Sequence, residues 1–208
     1  NVGFNGLSNP ALLSQIKNME YGVSYFSMSL DRSIQAISLS NSLPPLSGIS
    51  LSFVRIGTDN IIEKDNENNI GSILNHYESY GSMSFGTNLG KTSLGISLKA
   101  IFNDLPYANS AKGISLTIGF LYEIKRGLNI GFVCDNFGAN YSWNSENDIS
   151  FEEKLPLKYT LGFTKFNNKV LISGQYELTD ANHEKLNAFR MGLEIDLKGF
   201  GLSTPLLL

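Results

Sequence analysis

Two histidines, one cysteine and two adjacent glutamates are the side chains best suited to catalysis in this sequence, and none is spaced to perform it. His76 and His183 fall in stretches that read as loops, and neither has the partner spacing of a metal site. Glu152 and Glu153 are neighbours, so an extended chain points them apart, a poor geometry for an acid–base pair. Cys134 alternates with Ile130 and Phe132, where it reads as a small buried hydrophobe, and a lone cysteine excludes an internal disulfide. The run KDNENN at 64–69 carries oxygen ligands at short spacing. It lacks the glycine and closing glutamate of an EF-hand loop, and reads as solvated rather than calcium-binding. Nucleophile-elbow and glycine-rich phosphate motifs do not occur. Nothing here looks like an enzyme, and no cofactor is implied.

What the chain has in quantity is alternation. Over residues 92–122, Leu94, Ile96, Leu98, Ala100 and Phe102 fall on one face, against Ser93, Gly95, Ser97, Lys99 and Ile101. After a short interruption, Ile114, Leu116, Ile118, Phe120 and Tyr122 face Ser115, Thr117, Gly119, Leu121 and Glu123 in the same way. Strands place successive side chains on opposite faces, so each run has one greasy face and one small or polar face. Each run is about ten residues, the length a tilted strand needs to cross a bilayer. The expected fold is all-β, an antiparallel transmembrane β-barrel. The 208 residues carry a net charge of −3, so a nucleic-acid partner is not expected. A barrel spreads its apolar residues over alternate positions, so the modest apolar fraction of 42% does not count against a membrane.

In chain order, residues 1–20 form a separate segment in which Asn9 and Pro10 start a short helix, placed at or in the lumen, and 21–208 form the barrel. Ten strands are expected, at about 21–29, 33–40, 49–56, 78–89, 92–102, 113–122, 128–137, 157–166, 170–178 and 188–197. NSLPPLSG at 41–48 is a proline turn, and residues 57–77 read as a long polar loop with a helical turn near its end. NDLPYANSAK (103–112), residues 138–155 and TDANHEKLN (179–187) are further loops, the second holding Tyr141 and Trp143. Connections after odd strands are thus long from the third onward, and those after even strands from the fourth onward are short. Outer-membrane barrels sort loops this way, long outside and short in the periplasm, which places the N-terminus in the periplasm of a bacterial outer membrane. A signal peptide is then expected to have been removed.

The face opposite the greasy one receives Lys99, Glu123, Asn129, Asp135, Lys158, Thr160, Gln175, Glu177, Arg190 and Glu194. Charges of both signs on a lumen wall pair with one another or line a watery passage, and the pairing is the simpler reading. Gly95, Gly119, Gly131, Gly162 and Gly192 share this face, which suits a filled barrel better than a wide pore.

Several stretches together resemble a known family. GLSNPALL, LGISLKAIF, GISLTIGFLYEI, GLNIGFVCDNFG, LPLKYTLGFT and MGLEI follow one another as in PorV/PorQ-like outer-membrane barrels, relatives of the FadL long-chain fatty-acid transporters. The resemblance runs from Asn9 to about Ile195. It implies a barrel of about fourteen strands, so the last strands are expected to be missing. It also implies a motif near the lumen at Asn9, Pro10 and Ala11. Only eight residues precede that motif, so a full FadL-type hatch is absent or not covered. Two functions follow from the resemblance. One is binding of a protein partner in type IX-like secretion or surface assembly, with residues 57–77 and 138–155, including Tyr141 and Trp143, as the contact surface. The other is FadL-like transport of a hydrophobic small molecule. Membrane lipid is a partner in either case.

Overall fold

The computed structural model describes residues 3–64, 67, 69–106, 110–144, 150–167, 169–181 and 184–195. Eleven antiparallel strands make one sheet: β1 (Glu20–Met28), β2 (Arg32–Leu43), β3 (Ser47–Lys64), β4 (Ile70–Leu89), β5 (Thr92–Asp104), β6 (Ser110–Lys125), β7 (Leu128–Asn144), β8 (Ser150–Lys154), β9 (Leu157–Asn167), β10 (Val170–Ala181) and β11 (Glu184–Ile195). Each pairs with its chain neighbours except that β8 does not pair with β9, and β7 takes both. That strand pairs with β9 along its first half and with the short β8 along its second. Within the described residues β1 and β11 do not pair, so the sheet is open.

The alternation places its residues as the pattern requires. Large apolar side chains fill the outer face, where Leu51, Met83 and Leu98 remain 64%, 56% and 50% exposed. The inner face holds small polar residues in the same strands, and Ser50, Ser84 and Ser97 are each 1% exposed. A water-soluble sheet would do the reverse, since an apolar surface this extensive is costly in water. The arrangement suits hydrocarbon outside and packed polar groups inside.

Five expectations need correction. Within the range 57–77, residues 57–64 and 70–77 are strand rather than loop and include no helical turn: they are the end of β3 and the start of β4, with bulges between Thr58 and Ile61 and between Ile62 and Lys64. Residues 138–155 likewise belong mostly to β7 and β8, so Tyr141 and Trp143 sit on a strand rather than in a loop. NDLPYANSAK and TDANHEKLN also give up their ends to the strands on either side. The physical reason is shared. Backbone ladders continue wherever a partner strand is present, and polar side chains do not stop them where both faces meet water. The additional strand β8 brings the count to eleven rather than ten.

Before the sheet come a helical turn, α1 (Asn5–Ser8), and a 3₁₀ helix at Pro10–Gln15. Pro at the first position costs no hydrogen bond there, and the Asn9 side chain caps the turn by accepting from the Ala11 amide at 3.0 Å. Ala11 and Leu13 are fully buried against the inner face.

Candidate functional site: the inner face and the segment it holds

Register turns the inner-facing residues into rows that run across strands. The first row is Gly48, Gly86, Gly95 and Gly119, each the direct partner of the next through β3, β4, β5 and β6. The N-terminal segment rests on this track. A Cβ on Gly95 would overlap the peptide joining Pro10 to Ala11, one on Gly86 the Pro10 carbonyl, and one on Gly48 the Leu13 carbonyl. Only glycine permits so close an approach of backbone to backbone. Asn9 fastens the contact: its amide Nδ2 donates to the Phe120 carbonyl at 3.3 Å while its Oδ1 caps the turn. Glu20 holds the start of the segment, accepting from the Gly3 amide at 3.2 Å and from Asn5 Nδ2 at 3.4 Å.

The second row is Ser40, Ser50, Ser84, Ser97 and Thr117, and the third is Ser38, Ser52, Ser82, Lys99 and Ser115. Most of the serine hydroxyls on β2 to β5 pair with one another, while Ser82 Oγ is buried without a partner. Ser40 donates to Ser50 at 2.9 Å, Ser38 and Ser52 share a bond of 2.7 Å, and Ser84 meets Ser97 at 2.8 Å. Ser84 also donates to the Gly6 carbonyl at 3.3 Å, tying α1 to the wall. A hydroxyl both donates and accepts, so neighbouring serines can bond to one another without charge.

A fourth row is apolar: Ala36, Val54, Tyr80, Ile101, Gly113 and Tyr141. Ile101, Ala111 and Tyr141 form a buried cluster against which Tyr80, Trp143 and Leu155 pack. Tyr141 donates its hydroxyl to Glu78 at 2.8 Å, and burial, followed by that carboxylate, raises its pKa well above the usual phenol range. On the β7–β8 arm, Trp143 stacks on Phe151 at 5.9 Å between ring centres and donates to Glu153 at 2.8 Å.

The expected lumen charges divide into pairs and singles. Lys99 meets Asp135 at 2.6 Å, and Thr117 donates to the same carboxylate. Lys158 is the register partner of Asp135 and binds Glu177 at 3.1 Å, while Arg190 binds Glu177 at 3.0 Å. Lys99, Asp135, Lys158, Glu177 and Arg190 therefore alternate in sign across β5, β7, β9, β10 and β11. Glu123 and Glu194 stand apart from this ladder. Glu123 lines a small polar cavity of about 140 Å³ with Gln15, Asn88 and Asn129, and Glu194 is the partner of Leu171. A larger cavity of about 410 Å³ separates Ser8, Asn9 and Leu12 from the wall at Thr160, Gln175 and Arg190.

Glu152 and Glu153 project to opposite faces, as partners of Ser142 and Tyr141 respectively. His76 contacts Asn103 at 3.1 Å. His183 lies outside the described residues, as do Asp65, Asn66 and Asn68 of the 64–69 run. Among the described residues no three His, Cys, Asp or Glu side chains converge on a metal-sized space.

No family model matches the chain, and no curated protein matches it in sequence. The fold does have solved counterparts. The outer-membrane expressed OmpT of Vibrio cholerae is similar at 9% identity and a TM-score of 0.52, over 79% of this chain and 51% of that one. In-vitro folded OmpT, an outer membrane protein of the same organism, gives 9% and 0.54, over 86% and 60%. A structure described as the CymD monoaromatic hydrocarbon channel gives 12% and 0.54, over 93% and 84%. At such identities the likeness concerns the fold alone, and the chain spans only about half the length of the first. The class defined is an all-β antiparallel sheet, open among the described residues and similar in fold to outer-membrane β-barrels.

Proposed function

We propose that the chain forms part of an outer-membrane barrel, without enzymatic activity, that receives a small hydrophobic molecule. Residues 1–20 are its lumenal segment and 21–208 its wall. One observation carries the reading: the inner face bears a largely apolar row from Ala36 to Tyr141, beside the serine rows. A wall meant only for water or ions has no use for such a row. The name printed for the CymD structure, a hydrocarbon channel, points the same way. Asn9, Pro10 and Ala11 hold the lumenal segment, and the ladder of Lys99, Lys158, Glu177 and Arg190 keeps the far wall rigid. Glu123 and Glu194 are the acidic lining groups left over.

The test is uptake of a radiolabelled monoaromatic hydrocarbon by cells carrying the chain in their outer membrane. Uptake above that of cells lacking it, reduced by Val54→Asp with Ile101→Asp at unchanged membrane level, is the expected result. Equal uptake by all three would reject the proposal.

The β3–β4 and β7–β8 arms favour a second reading, in which Tyr141 and Trp143 help form a contact surface for a protein partner. The arms extend the ladder well past the outer apolar belt, and the second ends in stacked Trp143 and Phe151 rings. The PorV/PorQ resemblance would make that partner a type IX secretion or surface-assembly component. A stoichiometric protein co-purifying from outer membranes, with no apolar small molecule, would favour this reading over transport.

A further inference from the structure

Glu78 stands on an apolar part of the inner face. Ile34 and Ile56 precede it in its cross-strand row, and Val54 and Tyr80 lie in the row beside it. Ile56 is 39% exposed and Phe26, at the β1 end of the same row, 61%, so apolar surface stays open next to the carboxylate. A carboxylate has about four acceptor positions. The Tyr141 hydroxyl fills one at 2.8 Å, and no lysine or arginine forms a salt bridge with Glu78 among the described residues. The cationic and titratable groups on this face are engaged elsewhere. His76 contacts Asn103 at 3.1 Å, Lys99 meets Asp135 at 2.6 Å, and Arg32 Nε donates to the Ser29 carbonyl at 3.1 Å. Glu153, the register partner of Tyr141, adds a second negative charge and accepts from Trp143.

The surrounding field has the same sign. At the end of the sheet that bears the β3–β4 and β7–β8 arms, aspartate and glutamate outnumber lysine and arginine among the described residues. At the opposite rim, with Lys91, Lys125, Arg126 and Lys165, the balance is reversed. A rim of one sign concentrates solutes of the other.

We propose that Glu78 binds the ammonium group of a small hydrophobic amine whose apolar body lies on Ile34, Ile56 and the Tyr80 ring. The inference rests on the reading of the chain as a barrel that receives a small hydrophobic molecule, and narrows that molecule to one with a cationic head. A carboxylate beside open apolar surface gains most from a partner that brings both a counter-charge and an apolar body. The Tyr80 ring adds attraction for a cation, while a carboxylate of the same size meets repulsion from Glu78 and Glu153.

The test is equilibrium dialysis of the detergent-solubilised chain against radiolabelled benzylamine, benzyl alcohol and benzoate, which share a ring and differ in the head group, with protein-free micelles as the blank. The wild-type chain should retain benzylamine about tenfold better than benzyl alcohol, the preference that one charge-assisted hydrogen bond provides, and benzoate least. Glu78→Gln, which keeps an acceptor for Tyr141, should remove the preference. Asp104→Asn, a carboxylate at the same end but on the outer face as the partner of Tyr77, should keep it. Equal retention of benzylamine and benzyl alcohol by the wild type would overturn the amine site. So would a preference that survives Glu78→Gln or that Asp104→Asn removes as fully. Hydrocarbon uptake that persists in any of these cases leaves the transport reading standing, and its loss as well would overturn both.

Discussion

The wall from β2 to β6 and the wall from β7 to β11 solve the same problem by opposite means. Both turn a polar face inward. The first uses glycine and serine, presses them against the N-terminal segment and carries one charge, Lys99, in its three inner rows nearest that segment. The second sets Asp135, Lys158, Glu177 and Arg190 in a ladder whose Arg190 end borders a cavity across from the same segment. The difference follows from what covers each wall. Where backbone packs on backbone, only small neutral groups fit, and most of the hydroxyls pair with one another. Where space remains, long side chains reach across strands, and charges must find partners or pay for their desolvation.

The largest effect is expected from forcing bulk into the glycine track. Gly95→Leu has no room against Pro10 and Ala11, so it should displace the segment and cost about 3 kcal/mol. The outcome to look for is new protease cleavage within residues 5–15, together with a lower temperature for loss of the compact gel mobility of a folded barrel. Lys99→Met comes next, because it strips Asp135 of its cation where the two side chains are only 12% and 24% exposed. Thermal unfolding should show a loss of about 2 kcal/mol. If that variant matched the wild type, the ladder would not be holding the second wall.

Glu177→Gln is a milder change, since Arg190 and Lys158 are 57% and 37% exposed and water screens what remains. The expected loss is about 1 kcal/mol, shrinking further as salt is added. Smallest of all is Ser40→Ala, which removes one of several mutual hydroxyl bonds and should cost about 0.5 kcal/mol in the same unfolding assay. Reversal of the order between Gly95→Leu and Glu177→Gln would mean that charge, not close packing, dominates the interior.

Much of this contrast was legible in the sequence, residue by residue. Gly95 and Gly119 fall on the inner face from alternation alone, and so do Lys99, Glu177 and Arg190. What alternation does not give is register. That Gly48 and Gly86 join Gly95 in one row depends on the turn at 90–91 and on the hairpin between β3 and β4, which fix which residues stand opposite. The arms were hidden for another reason. Asp59, Asn60 and Glu63 have the composition of a loop, yet their strand is held by its partner rather than by its own preference. The apolar row through Val54 and Tyr80 was missed because its members are scattered over six strands, and only register makes them continuous.

The N-terminal segment lies against the inner face of the sheet, and the glycine track exists to receive it. Gly6 and Ser84 offer the direct measurement, because a Cβ at Gly6 would lie 3.4 Å from the Cβ of Ser84, close to the spacing of a disulfide. Cysteines at these two positions, in a chain with Ser50→Gly to remove the Cβ that would otherwise lie 2.8 Å from the one introduced at position 6 and with Cys134→Ala, are oxidised in isolated outer membranes and followed by gel mobility. Ready formation of the internal cross-link, reversed by reductant, is the predicted result. A chain that enters the membrane, folds and yet never cross-links would contradict the docked segment, and with it the reason for the glycine track.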